Sequence, residues 1–332
     1  MNTRNRAAAD GFVLALTGGI GGAKLCLGLQ RVLPAGGLRI IVNTGDDFEH
    51  LGLAISPDVD TTLYTLAGLA NVELGWGRQD ETWSFMRVLE TLGGPTWFRL
   101  GDGDLALHVE RTRRLAAGET LTEIVADIAR RFGISSRIMP MSDDPVRTIV
   151  AVAGGGELGF QEYFVRDRCA PAVAQLRYAG ADSARISSAA AQSLQDPALR
   201  AIVIAPSNPY LSIDPLLAVP GMRTALRARA APVIAVTPLI GESAVKGPTA
   251  KIMRELGVPP SPLSILQHYN GLVDGFVLDE RDAALAKEAG IPVRVCDTLM
   301  RSLGDRERVA RCTLELAQAI GSPPLAQKLR ES

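Results

Sequence analysis

The stretch Phe12–Leu25, FVLALTGGIGGAKL, decides the fold. Its apolar run Phe12–Leu16 has the continuous hydrophobicity of a strand buried on both faces, and the glycines after it lead straight into a helical pattern. A buried strand turned into a helix by a glycine-rich loop is the opening unit of a parallel α/β sheet. Four later segments repeat the pattern, each a run of apolar or β-branched residues ending in a polar, glycine-rich or proline-rich corner: LRIIVNTGDD, AIVIAPSNP, PVIAVTPLIG and GFVLDERD. Together they predict an α/β fold, a Rossmann-like mostly parallel sheet with helices on both faces. Each corner then falls at a strand's carboxyl end, where open α/β sheets hold their ligands.

Between about residues 67 and 140 the texture changes to longer amphipathic stretches such as DETWSFMRVLETLG and TLTEIVADIARRFG. We read residues 12–66 and 141–320 as the Rossmann-like core, 67–140 as a mostly helical insertion covering the active site, and 1–11 and 321–332 as flexible tails. An antiparallel stretch is expected in VRTIVAVAGGGELGFQEYFVRD, where a glycine-rich turn joins two alternating runs.

The 332 residues carry a formal net charge of -1 with their basic residues scattered, which argues against a nucleic-acid partner. Cys26, Cys169, Cys296 and Cys312 are far apart without CxxC spacing and read as reduced, buried thiols. No segment reaches the roughly 18 apolar residues of a membrane span. These features predict a cytoplasmic protein with no membrane partner.

A strand-to-helix loop offers free backbone N–H groups and a positive dipole end, which suit a phosphate. Gly18, Gly19, Gly21 and Gly22 let a ligand approach the backbone, and Lys24 follows. A dinucleotide fingerprint counted from Gly19 would need glycine or alanine at the position of Lys24. A Walker A loop would need glycine in place of Ala23 and Ser or Thr in place of Leu25. The loop therefore suits phosphate without being a kinase or NAD signature.

The next corner holds Asp46 and Asp47 at a strand end, then Asp58 and Asp60 at a helix start with Ser56 as N-cap and Pro57 at the first helical position. Carboxylates converging from two elements suit Mg2+, which takes a few carboxylates plus water and substrate phosphates. Asp46, Asp47 and Asp60 are the metal candidates, with Asp60 and Asp47 also the catalytic candidates. Asp58 reads as dipole compensation for its own helix. Two further acidic turns, RLGDGDLALH and PMSDDPVRT, add Asp102, Asp104, Asp143 and Asp144, for which turn chemistry and function weigh equally. His50 and His108 read as structural histidines. Ser207 and Asn208 are loop donors at a strand end, and Gly241, Lys246, Gly247 and Lys251 form a second glycine and lysine cradle. Two anion-binding loops and several carboxylates on one sheet edge suit metal-assisted transfer involving a nucleoside diphosphate.

The motifs TGGIGGAKL, VNTGDD, ISPDVDTTLY, RLGDGDLALH, MPMSDDPV, PSNP, VKGP and DERD occur in this order and resemble the 2-phospho-L-lactate transferase family (CofD/FbiA) of coenzyme F-420 biosynthesis. The resemblance runs from about Val13 to Ile320, and Ile20 departs from it where the family commonly has Thr. It implies Mg2+-dependent transfer of a phosphorylated three-carbon acid, enolpyruvyl or 2-phospho-L-lactyl, from a guanosine diphosphate-linked donor. The acceptor would be the 5'-hydroxyl of Fo (7,8-didemethyl-8-hydroxy-5-deazariboflavin), with release of GMP, and bacterial members typically use the enolpyruvyl donor. Asp60 and Arg99 match the family's Fo-binding residues by position. Gly18, Gly19, Gly21, Gly22, Lys24, Ser207, Asn208, Lys246 and Gly247 complete the expected substrate-binding set.

Two other readings compete. A non-enzymatic nucleotide-sugar-binding regulator of the YvcK-like kind shares the first glycine loop and NTGDD but lacks the SPDVDTTLY block. An NAD-binding oxidoreductase is weakened by Lys24. A homodimer is expected on general grounds, because symmetric pairs are the commonest soluble oligomers.

Overall fold

The computed structural model describes residues 11–71, 76–241, 243–244 and 247–321. In chain order its first half contains β1 (Phe12–Thr17), α1 (Gly19–Val32), β2 (Leu38–Val42), β3 (Phe48–His50), β4 (Leu53–Ile55), α2 (Pro57–Ala67), α3 (Ser84–Thr91), α4 (Asp102–Ala116), α5 (Leu121–Arg131) and β5 (Arg137–Pro140). Then come β6 (Arg147–Val152), β7 (Glu157–Gly159), β8 (Val173–Ala179), α6 (Ser188–Gln195), β9 (Leu199–Ile204), α7 (Asp214–Ala218) and α8 (Met222–Ala228). The chain ends with β10 (Val233–Val236), β11 (Leu239–Ile240), β12 (Ser243–Ala244), α9 (Thr249–Glu255), α10 (Pro262–His268), β13 (Gly275–Asp279), β14 (Val293–Cys296) and α11 (Leu303–Gly321).

Seven strands form one parallel sheet in the order β14-β13-β10-β9-β1-β2-β5. Alternation along each strand divides its side chains between two cores. Phe12, Leu14 and Leu16 of β1 join Ile41, Ile202, Ile204, Val233 and Phe276 on one face, packed under α6, α7 and α8. Val13 and Ala15 join Ile40, Val42, Val203, Ile234 and Val277 on the other, under α1, α2, α5 and α11. This is why the runs read as continuously apolar.

The chain leaves β1 toward β2 and β5 on one side and fills β9, β10, β13 and β14 on the other, so the direction of strand addition reverses between β1 and β9. A crevice at the carboxyl ends of two such strands is the standard ligand position of the fold. Here the glycine loop and the Pro206-Ser207-Asn208 corner follow those two strands, at that end of the sheet.

The sheet is wider than the five apolar runs suggest. β14 carries the exposed Arg294 and Val295, and β5 is four residues long with an exposed first residue, so neither edge strand has a core strand's signature. β5 lies within the segment read as insertion, and α5 packs beside it. Thr120 and Glu123 start α5 with a reciprocal capping box, and Ile124, Val125 and Ile128 bury its apolar stripe. A third, smaller core gathers the β3–β4 hairpin, α3 and α4 around Ile55, Met86 and Leu100, reaching back before residue 67. The hairpin has no counterpart in the sequence reading. Leu51 (φ 54°) and Gly52 (φ 73°) make its two-residue turn.

The expected antiparallel stretch is a three-stranded sheet, β7-β6-β8. Its first hairpin turns through the glycine tract, but the run after β7 coils at Glu162–Arg166, and β8 supplies the third strand. Asp102 and Asp104, read as a turn, open the first turn of the fifteen-residue α4.

Candidate active site

The glycine loop is held shut by its own neighbours. The Gly18 N–H donates to Ser207 Oγ (3.2 Å), and that hydroxyl donates to the Gly18 carbonyl (2.8 Å). A Cβ at Gly21 would lie 2.6 Å from the Pro206 carbonyl, and one at Gly22 would lie 2.5 Å from Ser207 Oγ. These two glycines therefore permit the close approach of α1 to the β9 corner. Gly19 adopts φ 66°, and its N–H donates to Asp58 Oδ1 (2.7 Å). Two loop N–H groups are thus already bound by protein side chains. The next ones, of Ile20 and Gly21 at the helix start, have no acceptor within the helix.

Asp58 is therefore more than a compensator for the dipole of α2. Its second oxygen accepts from Asn43 Nδ2 (2.9 Å), so one buried carboxylate joins β1's loop, β2's corner and α2. Ser56 stands at the N-cap position but makes no capping bond. Its hydroxyl donates instead to Asp47 Oδ2 (2.8 Å).

Asp46, Asp47, Asp58 and Asp60 are all buried at this corner. Burial pushes Asp47 up to about 7, with nearby Arg147 and the Ser56 hydroxyl opposing it. Burial likewise lifts Asp58 to about 6 against its bonds from Asn43 and Gly19. Asp46 is driven well above the carboxylate range by burial and then by repulsion from Asp58. Among the described residues, Asp46 Oδ1 and Asp47 Oδ1 have no hydrogen-bond partner.

Asp60 is differently placed. Both its oxygens accept from the guanidinium of Arg111, Oδ2 from Nη1 at 3.1 Å and Oδ1 from Nη2. Burial still raises its pKa, with Arg111 and His108 pulling the other way. Arg111 was not singled out from the sequence, where ERTRRLA resembles the solvated end of a helix. A signal was present, because Asp104, His108 and Arg111 recur at the spacing of one helix face. His108 Nδ1 lies 3.7 Å from Asp60 Oδ2, and its Nε2 lies 3.3 Å from Asp104 Oδ2. The Tyr64 hydroxyl donates to Asp104 Oδ1 (2.6 Å).

The remaining candidates divide. Arg99 is exposed on the insertion, its guanidinium 4.2 Å from the centre of the Trp83 ring. Lys24 donates to the Met300 carbonyl (3.1 Å). Asn208 Oδ1 caps the Tyr210 and Leu211 N–H groups, leaving its Nδ2 buried without a partner among the described residues. Gly247 is an exposed turn residue at φ 76°, and Lys246 lies outside the described residues. The Gly241 N–H donates to Asp282 Oδ2 (2.8 Å). Lys251 points elsewhere, to the Pro171 carbonyl (2.9 Å) and Glu255 (2.6 Å).

Three acidic candidates are structural. Asp102 accepts from the Ser84 and Phe85 N–H groups that open α3, while Glu81 accepts from the Gly103 and Asp104 N–H groups that open α4. Asp143 ties the start of α5, and Asp144 accepts from the Arg185 N–H. His50 packs against Phe48, Trp97 and Phe98.

Asp46, Asp47 and Asp60 do not close into a cage. No group of three or more His, Cys, Asp or Glu among the described residues is placed to hold a metal ion. Asp60 is engaged by Arg111, so the carboxylate oxygens that suit a cation are the two unpartnered ones, on Asp46 and Asp47. Magnesium asks for no more, since it commonly binds one or two carboxylates and completes its shell with water and substrate phosphate.

A phosphate-suited loop and unpaired carboxylates at the carboxyl ends of neighbouring strands are what the chain brings to the comparison with known proteins. The family model for 2-phospho-L-lactate transferase CofD matches residues 13–306. This chain belongs to the CofD family. It is therefore a CofD-type transferase, of the family of coenzyme F-420 biosynthesis. It is 38% identical to the phosphoenolpyruvate transferase of Streptomyces griseus, over 93% of this chain and 99% of that protein. It is 40% identical to the 2-phospho-L-lactate transferase of Methanopyrus kandleri, over 92% and 97%. A Bacillus halodurans protein of the UPF0052 family shares the fold, with a TM-score of 0.60 at 15% identity over 92% of this chain and 99% of that one. Among the described residues of this CofD-family chain, no helix is long and apolar enough to cross a membrane.

Proposed function

We propose that the chain moves a phosphorylated three-carbon acid, enolpyruvyl or 2-phospho-L-lactyl, from a guanosine diphosphate-linked donor to the 5'-hydroxyl of Fo, releasing GMP. The hydroxyl oxygen forms a bond to the phosphorus that carries the three-carbon acid. The bridging P–O bond to the guanylyl phosphate breaks, and the hydroxyl proton is lost. The observation that carries this reading is the pair of buried, unpartnered carboxylate oxygens on Asp46 and Asp47 at the carboxyl end of β2, the strand next to β1 and its glycine loop.

Asp46 and Asp47 would hold Mg2+, which when bound neutralises charge on the donor phosphates. The N–H groups at the start of α1 bind phosphate oxygens, with Gly18 and Gly19 kept in place by Ser207 and Asp58. Asp60 accepts a hydrogen bond from the acceptor hydroxyl and orients its oxygen. Arg99, braced on Trp83, binds the acceptor from the insertion side. Positioning and charge stabilisation supply most of the acceleration in such transfers.

The test is a coupled assay with Fo, Mg2+ and a guanylyltransferase supplied in turn with phosphoenolpyruvate, 2-phospho-L-lactate or 3-phosphoglycerate, products being read by mass. A product equal to Fo plus one phosphorylated acid is expected and names the donor. Nucleotide-sugar binding without product from any donor would favour the regulator instead.

A further inference from the structure

We propose that Arg111 is a positioning residue for acceptor binding, fixing Asp60 in one orientation as an anion and being fixed in turn by His108, Asp104 and Tyr64. The inference rests on the transferase reading above, in which Asp60 meets the acceptor.

The geometry is that of a built device. Arg111 is fully buried, and its Nη1 is shared among Asp60 Oδ2 (3.1 Å), the Ala54 carbonyl (3.2 Å) and His108 Nδ1 (3.4 Å). A planar guanidinium gripping both oxygens of a carboxylate sets the plane of that carboxylate, which a lysine cannot do. Behind it, each ring nitrogen of His108 faces a carboxylate oxygen, and Tyr64 holds Asp104. Asp60 and Tyr64 lie on α2, while Asp104, His108 and Arg111 lie on α4, so the chain of contacts registers the insertion against the helix that carries Asp60.

The charged and titratable groups that face Asp60 are Arg111, His108 and Asp104 from α4, Tyr64 from α2, and Asp47 from the β2 corner. Arg111 is the strongest of those that favour the anion. Removing its grip raises the pKa of Asp60 further, so the acidic limb of acceptor turnover moves to higher pH. The device also separates two roles that the sequence left together: Asp60 serves the acceptor, and Asp46 and Asp47 are left for the metal.

The experiment compares wild type with Arg111→Lys and Tyr64→Phe, measuring kcat/KM for Fo against pH, the KM for the donor, and Fo binding by its own fluorescence. For Arg111→Lys we expect kcat/KM for Fo to fall about 30-fold or more while donor KM changes less than about 2-fold, with the acidic limb displaced upward. Tyr64→Phe should move both quantities the same way by a smaller factor, and it carries the test if Arg111→Lys fails to fold. Equal losses toward donor and acceptor with an unmoved limb, or unchanged activity, would overturn the inference alone. A wild type that neither binds Fo nor makes product overturns the transferase reading and this inference with it.

Discussion

Asp46–Asp47 and Asp143–Asp144 look alike in the sequence, each a pair of aspartates just after a strand, yet the fold treats them in opposite ways. Asp143 takes the N–H and hydroxyl of Thr122, and Asp144 takes the Arg185 N–H, which holds its carboxyl below the ordinary range. Asp46 and Asp47 keep an unpartnered oxygen each, and burial drives both above it. The difference comes from the strands they leave. β5 is the sheet's edge, so its corner meets solvent and the start of α5. β2 lies inside the sheet next to β1, where α2 and the start of β6 close over the corner, with the Thr148 N–H donating to the Gly45 carbonyl (2.7 Å). Buried carboxylates perturbed in this way, with an oxygen left unpartnered, gather at functional sites.

The largest contrast should come from substitution at the two sites. Asp47→Asn is expected to cut turnover by roughly 10²–10³-fold, the size of loss typical when charge stabilisation is removed from a transfer site. Asp143→Asn should leave turnover within about 2-fold, as for a surface change away from the chemistry. Steady-state rates of the two variants decide this, and equal losses would erase the distinction.

Stability should respond in the reverse sense. Burial pushes Asp47 up to about 7 and Asp58 up to about 6, both above the ordinary aspartate value of 3.8. In that window the folded state binds more protons than the unfolded one, so stability is greatest below about pH 4 from these groups and falls as pH rises through 6 and 7. Carboxyls held low, such as Asp127 at about 2, lose their contribution only in more acidic solution. The denaturation midpoint of the metal-free protein is therefore expected to be lower at pH 8 than at pH 5.5, and Asp47→Asn should raise it at pH 8. A midpoint that climbs with pH would contradict the uncompensated corner. Mg2+ should stabilise the wild type at pH 8 and do little for Asp47→Asn, since only a ligand of the folded state shifts the midpoint.

How much of this was legible follows the same division. The core strands were readable because burial on both faces leaves them uniformly apolar, whereas β5 and β14 are edges with mixed exposure. The four aspartates of the corner were visible as residues, but their inequality was not. Asp58 is defined by a bond to Gly19, 39 positions away, and Asp60 by Arg111, 51 positions away. No local pattern encodes either pairing. The capping box of α5, by contrast, lies within four residues and belongs to the chemistry of the sequence itself.

A smaller effect is expected at Arg99. Its guanidinium is exposed and stacked on Trp83, so Arg99→Ala should weaken Fo binding by about 5–30-fold, equivalent to about 1–2 kcal/mol for a partly solvated cation contact. Donor affinity should hold. Fluorescence titration of Fo against wild type and variant measures it, and unchanged Fo affinity would remove Arg99 from the acceptor site.

The smallest effect belongs to the compensated pair and completes the contrast. Asp143 bonds both the N–H and the hydroxyl of Thr122 in the first turn of α5, so Asp143→Ala removes an anion from a helix N-terminus. The expected result is a melting temperature lower by a few degrees with Fo and donor kinetics unchanged. Restoring the carboxylate one methylene further out, as Asp143→Glu, should recover part of that loss. If Asp143→Ala instead impaired turnover without lowering the melting temperature, the acidic turn would have to be counted with the corner at Asp46 and Asp47, and partner count would no longer separate a structural aspartate from a functional one.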